Sequence, residues 1–145
     1  MNRVRGENGR PNPHPESVMG KLKRKTRETR IAVVGASNDP EKYGNIIVKN
    51  LLGKGYAVLP VNPRETMIAG VQAYEKLADI DGPIDIVNIV TPPQVTRGIL
   101  DEVAELGVES VWLQDGSFDE SILDSLADAP FEAVYDACIM VVSSH

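Results

Sequence analysis

Four apolar residues, Ile31-Ala32-Val33-Val34, run straight into Gly35-Ala36-Ser37, and Lys42-Tyr43-Gly44 opens a helical pattern shortly after. A buried strand, a glycine turn and a helix N-terminus, in that order, present unpaired backbone N–H groups and the positive end of a helix dipole. That is the chemistry of a phosphate or pyrophosphate site. Ser37 adds a hydroxyl, Lys42 a charge at the helix mouth, and Gly44 lets a ligand approach the backbone. The nicotinamide and flavin fingerprint G-x-G-x-x-G is not met, because Ser37 stands at its second glycine. A glycine after a strand also satisfies a plain turn, so on this loop alone both readings stand.

Other loops carry further candidates. Asn62-Pro63-Arg64 follows a second apolar stretch, at a place where a nicotinamide site wants Asp or Glu for the ribose hydroxyls. Arg64 suits a phosphate carried on the ribose instead, although Asn62-Pro63 also reads as a turn. Thr91-Pro92-Pro93 opens another helix, with rigid prolines that suit the flat face of an adenine or a pantetheine arm and equally suit a helix start. Gln114, Asp115 and Gly116 follow a stretch holding Trp112, which reads as core. Cys138 is the single cysteine, which excludes an internal disulfide and a cysteine metal cluster. It reads as an inert buried thiol, with exchange against a ligand sulfhydryl as the alternative. His14 and His145 lie outside the strand-end loops, and no Ser/His/Asp set, carboxylate pair or metal-ligand cluster stands out. No catalytic residue and no metal ligand is assigned, and a binding role is read ahead of an enzymatic one.

The elements that must position these loops alternate. Ile31–Val34, Ala57–Val61, Ile84–Val90, Val108–Leu113 and Ala133–Tyr135 read as strands, Met67–Ile68 as a short edge strand. Tyr43–Leu52 reads as a helix closed by Gly53 and Gly55, and Tyr74–Ala78 as one helical turn. Thr91 is expected to cap a helix with Pro92 at its first position, burying Val95, Ile99, Val103 and Leu106 and ending at Gly107. Asp119–Ala127 is a further helix with Ile122, Leu123 and Leu126 inward. Strands alternating with helices imply right-handed parallel crossovers. The expected fold is α/β, a Rossmann-like doubly wound and mostly parallel sheet with helices on both faces. Ligands of such sheets bind at the carboxyl ends of the strands, where all the candidate loops lie.

The 145 residues suffice for one domain with a real core. No apolar run is long enough to span a bilayer and the N-terminus lacks an apolar leader, so a cytoplasmic protein is expected. Residues 1–30 hold nine Lys or Arg and three Glu, a net +6, leaving −12 for the rest of a chain whose formal charge is −6. Without interleaved aromatics for base stacking, and beside an acidic body, this basic stretch reads as a solvated tail, not a nucleic-acid arm. Residues 1–29 are expected to be a basic, largely disordered tail, with a short helix from Glu16 to Arg27 presenting Val18, Met19 and Leu22. Residues 30–145 form the domain.

Taken together, G-A-S at 35–37, K-Y-G at 42–44, G-Y at 55–56, V-N-P at 61–63, D-I-V at 85–87, W-L-Q at 112–114 and D-x-C at 136–138 carry a resemblance. Over about residues 30–140 the chain resembles the small stand-alone CoA-binding proteins, relatives of the CoA-binding domain of succinyl-CoA synthetase alpha subunits. The resemblance implies a Rossmann-like fold that binds coenzyme A or an acyl-CoA. It implies that Gly35, Ala36, Ser37, Lys42, Tyr43 and Gly44 hold the pyrophosphate. Asn62, Pro63 and Arg64 would then line the adenosine side, with Arg64 on the ribose 3′-phosphate. Thr91 and Pro92 would pack on the nucleotide, and Gln114, Asp115 and Gly116 would face the pantetheine. Ala137 departs from the basic residue that the family often places there, as does the terminal segment from Met140. Two alternatives stand beside this reading: an NAD(H)-binding redox sensor or small oxidoreductase, and a CoA-binding subunit of a separately encoded acyl-CoA ligase. A small-molecule ligand is expected, without nucleic acid or membrane, and a protein partner or second copy is left open.

Overall fold

A computed structural model of the chain describes residues 10–23 and 28–143. Five parallel strands form the sheet: β1 (Arg30–Val34), β2 (Ala57–Val61), β5 (Ile86–Ile89), β6 (Ser110–Leu113) and β7 (Glu132–Val134). Their order is β2-β1-β5-β6-β7, with β1 flanked by β2 and β5, so the order reverses beside β1. Apart from their first residues, β1 and β2 are buried throughout, as are all residues of β5 and β6. That explains their apolar runs, broken only by Asn88 in β5 and Ser110 at the start of β6, because helices cover both faces. A small antiparallel hairpin, β3 (Met67–Ile68) with β4 (Val71–Gln72), stands apart from the sheet.

One face packs α1 (Glu16–Lys23), α2 (Tyr43–Gly53) and α5 (Ile139–Val142), through Val18, Leu22, Ile47, Leu51 and Ile139, onto Ile31, Val33, Ile86 and Trp112. The other face packs α3 (Pro93–Leu106) and α4 (Glu120–Ser125), through Leu100, Val103, Ile122 and Leu123, onto Val34, Val87, Ile89 and Leu113. The Rossmann-like doubly wound α/β fold is thus the one the sequence implies.

Several local expectations change. The stretch assigned to the tail is in part packed: Val18 and Leu22 of α1 are fully buried, the Tyr135 amide donates to the Pro13 carbonyl at 3.0 Å, and Arg10 pairs with Glu120 and Asp124. Backbone pairing and an apolar helix face hold this segment, despite its polar composition. Residues 1–9 and 24–27 lie outside the described residues, as does His145. Pro92, not Thr91, is the N-cap of α3, and Pro93 takes the first turn. The Thr91 hydroxyl is 2.9 Å from that of buried Thr96 and does not cap the helix. The buried stripe of α3 is Thr96, Leu100 and Val103, whereas Val95 is 49% and Leu106 44% exposed. Tyr74 is not helical: it bridges Val61 in parallel fashion, and the helical turn is a 3₁₀ turn at Leu77–Asp79.

Candidate functional site

The site begins with two glycines. Gly35 ends β1 with φ of 95°, a left-handed conformation, and a Cβ there would fall 2.7 Å from Cγ2 of Val90. Gly44, in the first turn of α2, lies so close to this loop that a Cβ would fall 2.1 Å from the Gly35 carbonyl oxygen. The helix therefore starts directly against the strand-end turn. Lys42 is the N-cap of α2 and supplies no side-chain cap. The mouth of α2 carries a lysine and uncapped N–H groups, an arrangement suited to an anion.

Side chains fix this loop from behind. The Asn45 amide nitrogen donates to the Ser37 carbonyl at 2.9 Å. The Ser37 hydroxyl accepts from the Asp39 amide at 3.0 Å. From β2, the Asn62 amide nitrogen donates to the Ala36 carbonyl at 2.8 Å, and its oxygen accepts from the Arg64 amide at 2.7 Å. Asn62 thus ties the two strand-end loops together, a role beyond a plain turn.

A crevice of about 280 Å³ opens at this edge, near the small end of ligand pockets. Gly35, Ala36, Ser37, Lys42, Asn62, Pro63 and Thr91 all line it. Its remaining walls come from Val34 and Val61, from Val95, Ile99 and Glu102 of α3, and from Glu75 and Lys76. Among the described residues, Lys42, Arg64 and Lys76 have no carboxylate close enough to form an ion pair. Cations left unpaired at a sheet edge of an acidic body mark a place for anions. Two larger hollows, about 360 and 460 Å³, lie at the amino ends of β5, β6 and β7. Their charged lining includes Asp85, Glu109 and Glu132, and the Lys21 ammonium there already donates to the Ser110 hydroxyl at 2.7 Å. They suit a phosphate poorly, and they lie at the edge opposite the one where sheets of this kind bind ligands.

Tyr43 and Gln114 meet elsewhere, around Cys138. The Tyr43 hydroxyl is 3.2 Å and the Gln114 amide nitrogen 3.5 Å from Sγ, while the Gln114 oxygen accepts from the Ile139 amide at 3.0 Å. Burial pushes the Cys138 thiol up, but hydrogen bonds from Tyr43, Gln114 and the Met140 and Val141 amides outweigh it and leave the thiol below its ordinary value. The bond to Cys138, with burial, pushes Tyr43 up to about 12, so the phenol keeps its proton and is able to donate to the thiolate form of sulfur. Cys138 is therefore a half-buried, hydrogen-bonded thiol, not an inert core residue. Of the other sequence candidates, Arg64, Pro92, Asp115 and Gly116 are exposed and stand outside the crevice lining. Arg64 follows Pro63 at the rim.

Sequence reasoning missed Glu75, Lys76, Val95, Ile99 and Glu102 as part of the site. Val95 and Ile99 were visible as an apolar pair at helical spacing, but that pair reads equally as core. Among the described residues no group of three or more His, Cys, Asp and Glu gathers to hold a metal, and no helix is long and apolar enough to cross a membrane.

The reversal of strand order beside β1 and the glycine turn define a Rossmann-like domain with a crevice at the carboxyl edge of its sheet. The chain belongs to the CoA binding domain family, whose model matches residues 29–144. It is 36% identical over 115 residues to the uncharacterised protein YneT of Bacillus subtilis, covering 79% of this chain and 85% of YneT. It is 42% identical over 92 residues to the alpha subunit of ADP-forming acetate–CoA ligase II of Pyrococcus furiosus, covering 63% of this chain but 20% of that subunit. Among solved structures, a hypothetical protein of Pyrococcus horikoshii is similar with a TM-score of 0.78 and 30% identity, over 98% of this chain and 96% of that one.

Proposed function

We propose that this protein binds coenzyme A or an acyl-CoA along the carboxyl edge of its sheet, as a binding module without a chemical step of its own. The observation that carries the reading is the uncapped start of α2, held against Gly35 by Gly44, with Lys42 at its mouth and unpaired. It suits the pyrophosphate. The crevice between α3 and the end of β2 takes the adenosine, with Asn62, Pro63 and Thr91 on its walls. The pantetheine arm runs toward exposed Asp115 and Gly116, which follow the buried Gln114. Family membership supports CoA as the ligand, and the absence of an acidic residue in Asn62-Pro63-Arg64 speaks against NAD(H).

Calorimetric titration with CoA, acetyl-CoA, NAD⁺ and NADH tests the reading. CoA or acetyl-CoA is expected to bind with the dinucleotides silent. Binding of NADH alone would overturn it in favour of a dinucleotide sensor. The similarity to a ligase alpha subunit supports a second reading, in which this domain supplies the CoA site to a separately encoded ligase partner. Co-purification from the native host, followed by a CoA ligase assay on the complex, separates the two.

A further inference from the structure

We infer that Lys76, together with the crevice wall it stands on, holds a second phosphate separate from the pyrophosphate, and so makes the site prefer CoA over its 3′-dephospho form. The inference rests on the CoA reading above and deepens it.

The backbone places this lysine with care. The Tyr74 amide donates to the Pro60 carbonyl at 2.9 Å, and the Asn62 amide donates to the Tyr74 carbonyl at 2.9 Å. Tyr74 thereby pairs in parallel with Val61, the last residue of β2. The chain then bends at 75–76, and Lys76 lines the crevice together with Asn62 and Pro63 at the end of β2. It is extended, with φ of −150°, just before the 3₁₀ turn at Leu77–Asp79, and its side chain caps nothing. Lys76 lines the same crevice as Lys42, from the β2 side, whereas Lys42 lines it from the mouth of α2. Glu75 and Glu102 share the lining, yet neither pairs with Lys76.

Two lysines arranged this way fit a ligand bearing two separated phosphate groups. NAD(H) offers only the pyrophosphate; NADP(H) also carries a ribose phosphate, and family membership favours CoA over it. Coenzyme A adds a phosphate on the adenosine ribose, which is the moiety the crevice takes. Arg64, the candidate suggested by the sequence, is as exposed as Lys76 but stands outside the crevice lining, so Lys76 is the better-placed cation. An ammonium needs no particular orientation to meet a phosphate.

The test compares CoA with 3′-dephospho-CoA by calorimetry on the unaltered protein, Lys76→Ala, Lys76→Arg and Arg64→Ala. The unaltered protein should favour CoA by roughly ten-fold or more, the worth of one charge-assisted contact. Lys76→Ala should bring that ratio close to one by weakening CoA alone, with dephospho-CoA unchanged. Lys76→Arg should keep most of the preference, and Arg64→Ala should leave it nearly intact. An unchanged ratio in Lys76→Ala, with CoA still bound, would overturn the inference and spare the CoA reading. An equal loss for both ligands would overturn it too, since Lys76 would then serve the crevice generally. Failure of the unaltered protein to bind either ligand would bring down the CoA reading itself.

Discussion

The two ends of the ligand edge are built on opposite terms. Around Tyr43, Gln114 and Cys138 the polar groups bond to one another: phenol to sulfur, amide to sulfur, Gln114 oxygen to the Ile139 amide, and the Trp112 indole N–H to the Ala137 carbonyl at 2.8 Å. At the crevice the backbone is tied down by Asn45 and Asn62, but the charges of Lys42 and Lys76 have no ion-pair partner among the described residues. One end has its polar groups bonded to one another, although Tyr43 stays exposed and Cys138 half-buried. The other is rigid in its main chain and open in its charges, which is the state a binding site needs before its ligand arrives.

That contrast breaks most visibly at Trp112, which is fully buried. Trp112→Ala should cost about 3–5 kcal/mol of stability, read as a lowered urea midpoint, because it leaves a large cavity and an unbonded Ala137 carbonyl. Next comes Gly44→Ala. The new Cβ would sit 2.1 Å from the Gly35 carbonyl oxygen, forcing α2 away from the turn. Stability should fall by about 1–3 kcal/mol, and CoA affinity should fall further than for any single-lysine variant, since the mouth of α2 moves as a unit. Lys42→Ala should do the converse of Trp112→Ala: an unchanged urea midpoint and a roughly ten-fold weaker CoA titration, because no carboxylate among the described residues pairs with Lys42. Equal effects of Lys42→Ala and Trp112→Ala on stability would erase the distinction between the two ends.

The smallest effect is expected at Tyr43. Its hydroxyl lies 3.2 Å from Cys138 and its bond favours the thiolate, so Tyr43→Phe removes a stabiliser of the charged form and the thiol titrates at higher pH. The rate of Cys138 alkylation against pH should therefore shift to the alkaline side in Tyr43→Phe, with little change in CoA affinity. A shift toward acid would mean that the phenol is not the donor.

The β1–α2–β2 unit was legible in the sequence because each part has a local cause. Strands buried on both faces show as unbroken apolar runs, and the turn needs a glycine at positive φ. The crevice walls were less legible. Val95 and Ile99 lie one position off the true buried stripe of Thr96, Leu100 and Val103, and a polar threonine at a fully buried position hides that stripe. Thr96 is buried because its hydroxyl meets Thr91, a pairing that no periodicity reveals. Lys76 was missed because Tyr74 pairs with β2 as an isolated bridge, through long-range bonds that local pattern cannot carry. Likewise α5 has only four residues, Ile-Met-Val-Val, too few for a helical period to show. Pro11 to Pro15 read as disordered by composition, yet part of this stretch is held by the Tyr135 amide.

The most direct test of the central claim is a ¹H–¹⁵N NMR titration of the protein with CoA. The account predicts shifts concentrated on the amides of Gly35 to Ser37, Tyr43 to Asn45, Asn62, Arg64, Lys76 and Thr91. Shifts gathered instead at Gly82, Gly107 and Glu109, around the hollow at the amino edge, would contradict it, as would a spectrum left unchanged by saturating CoA.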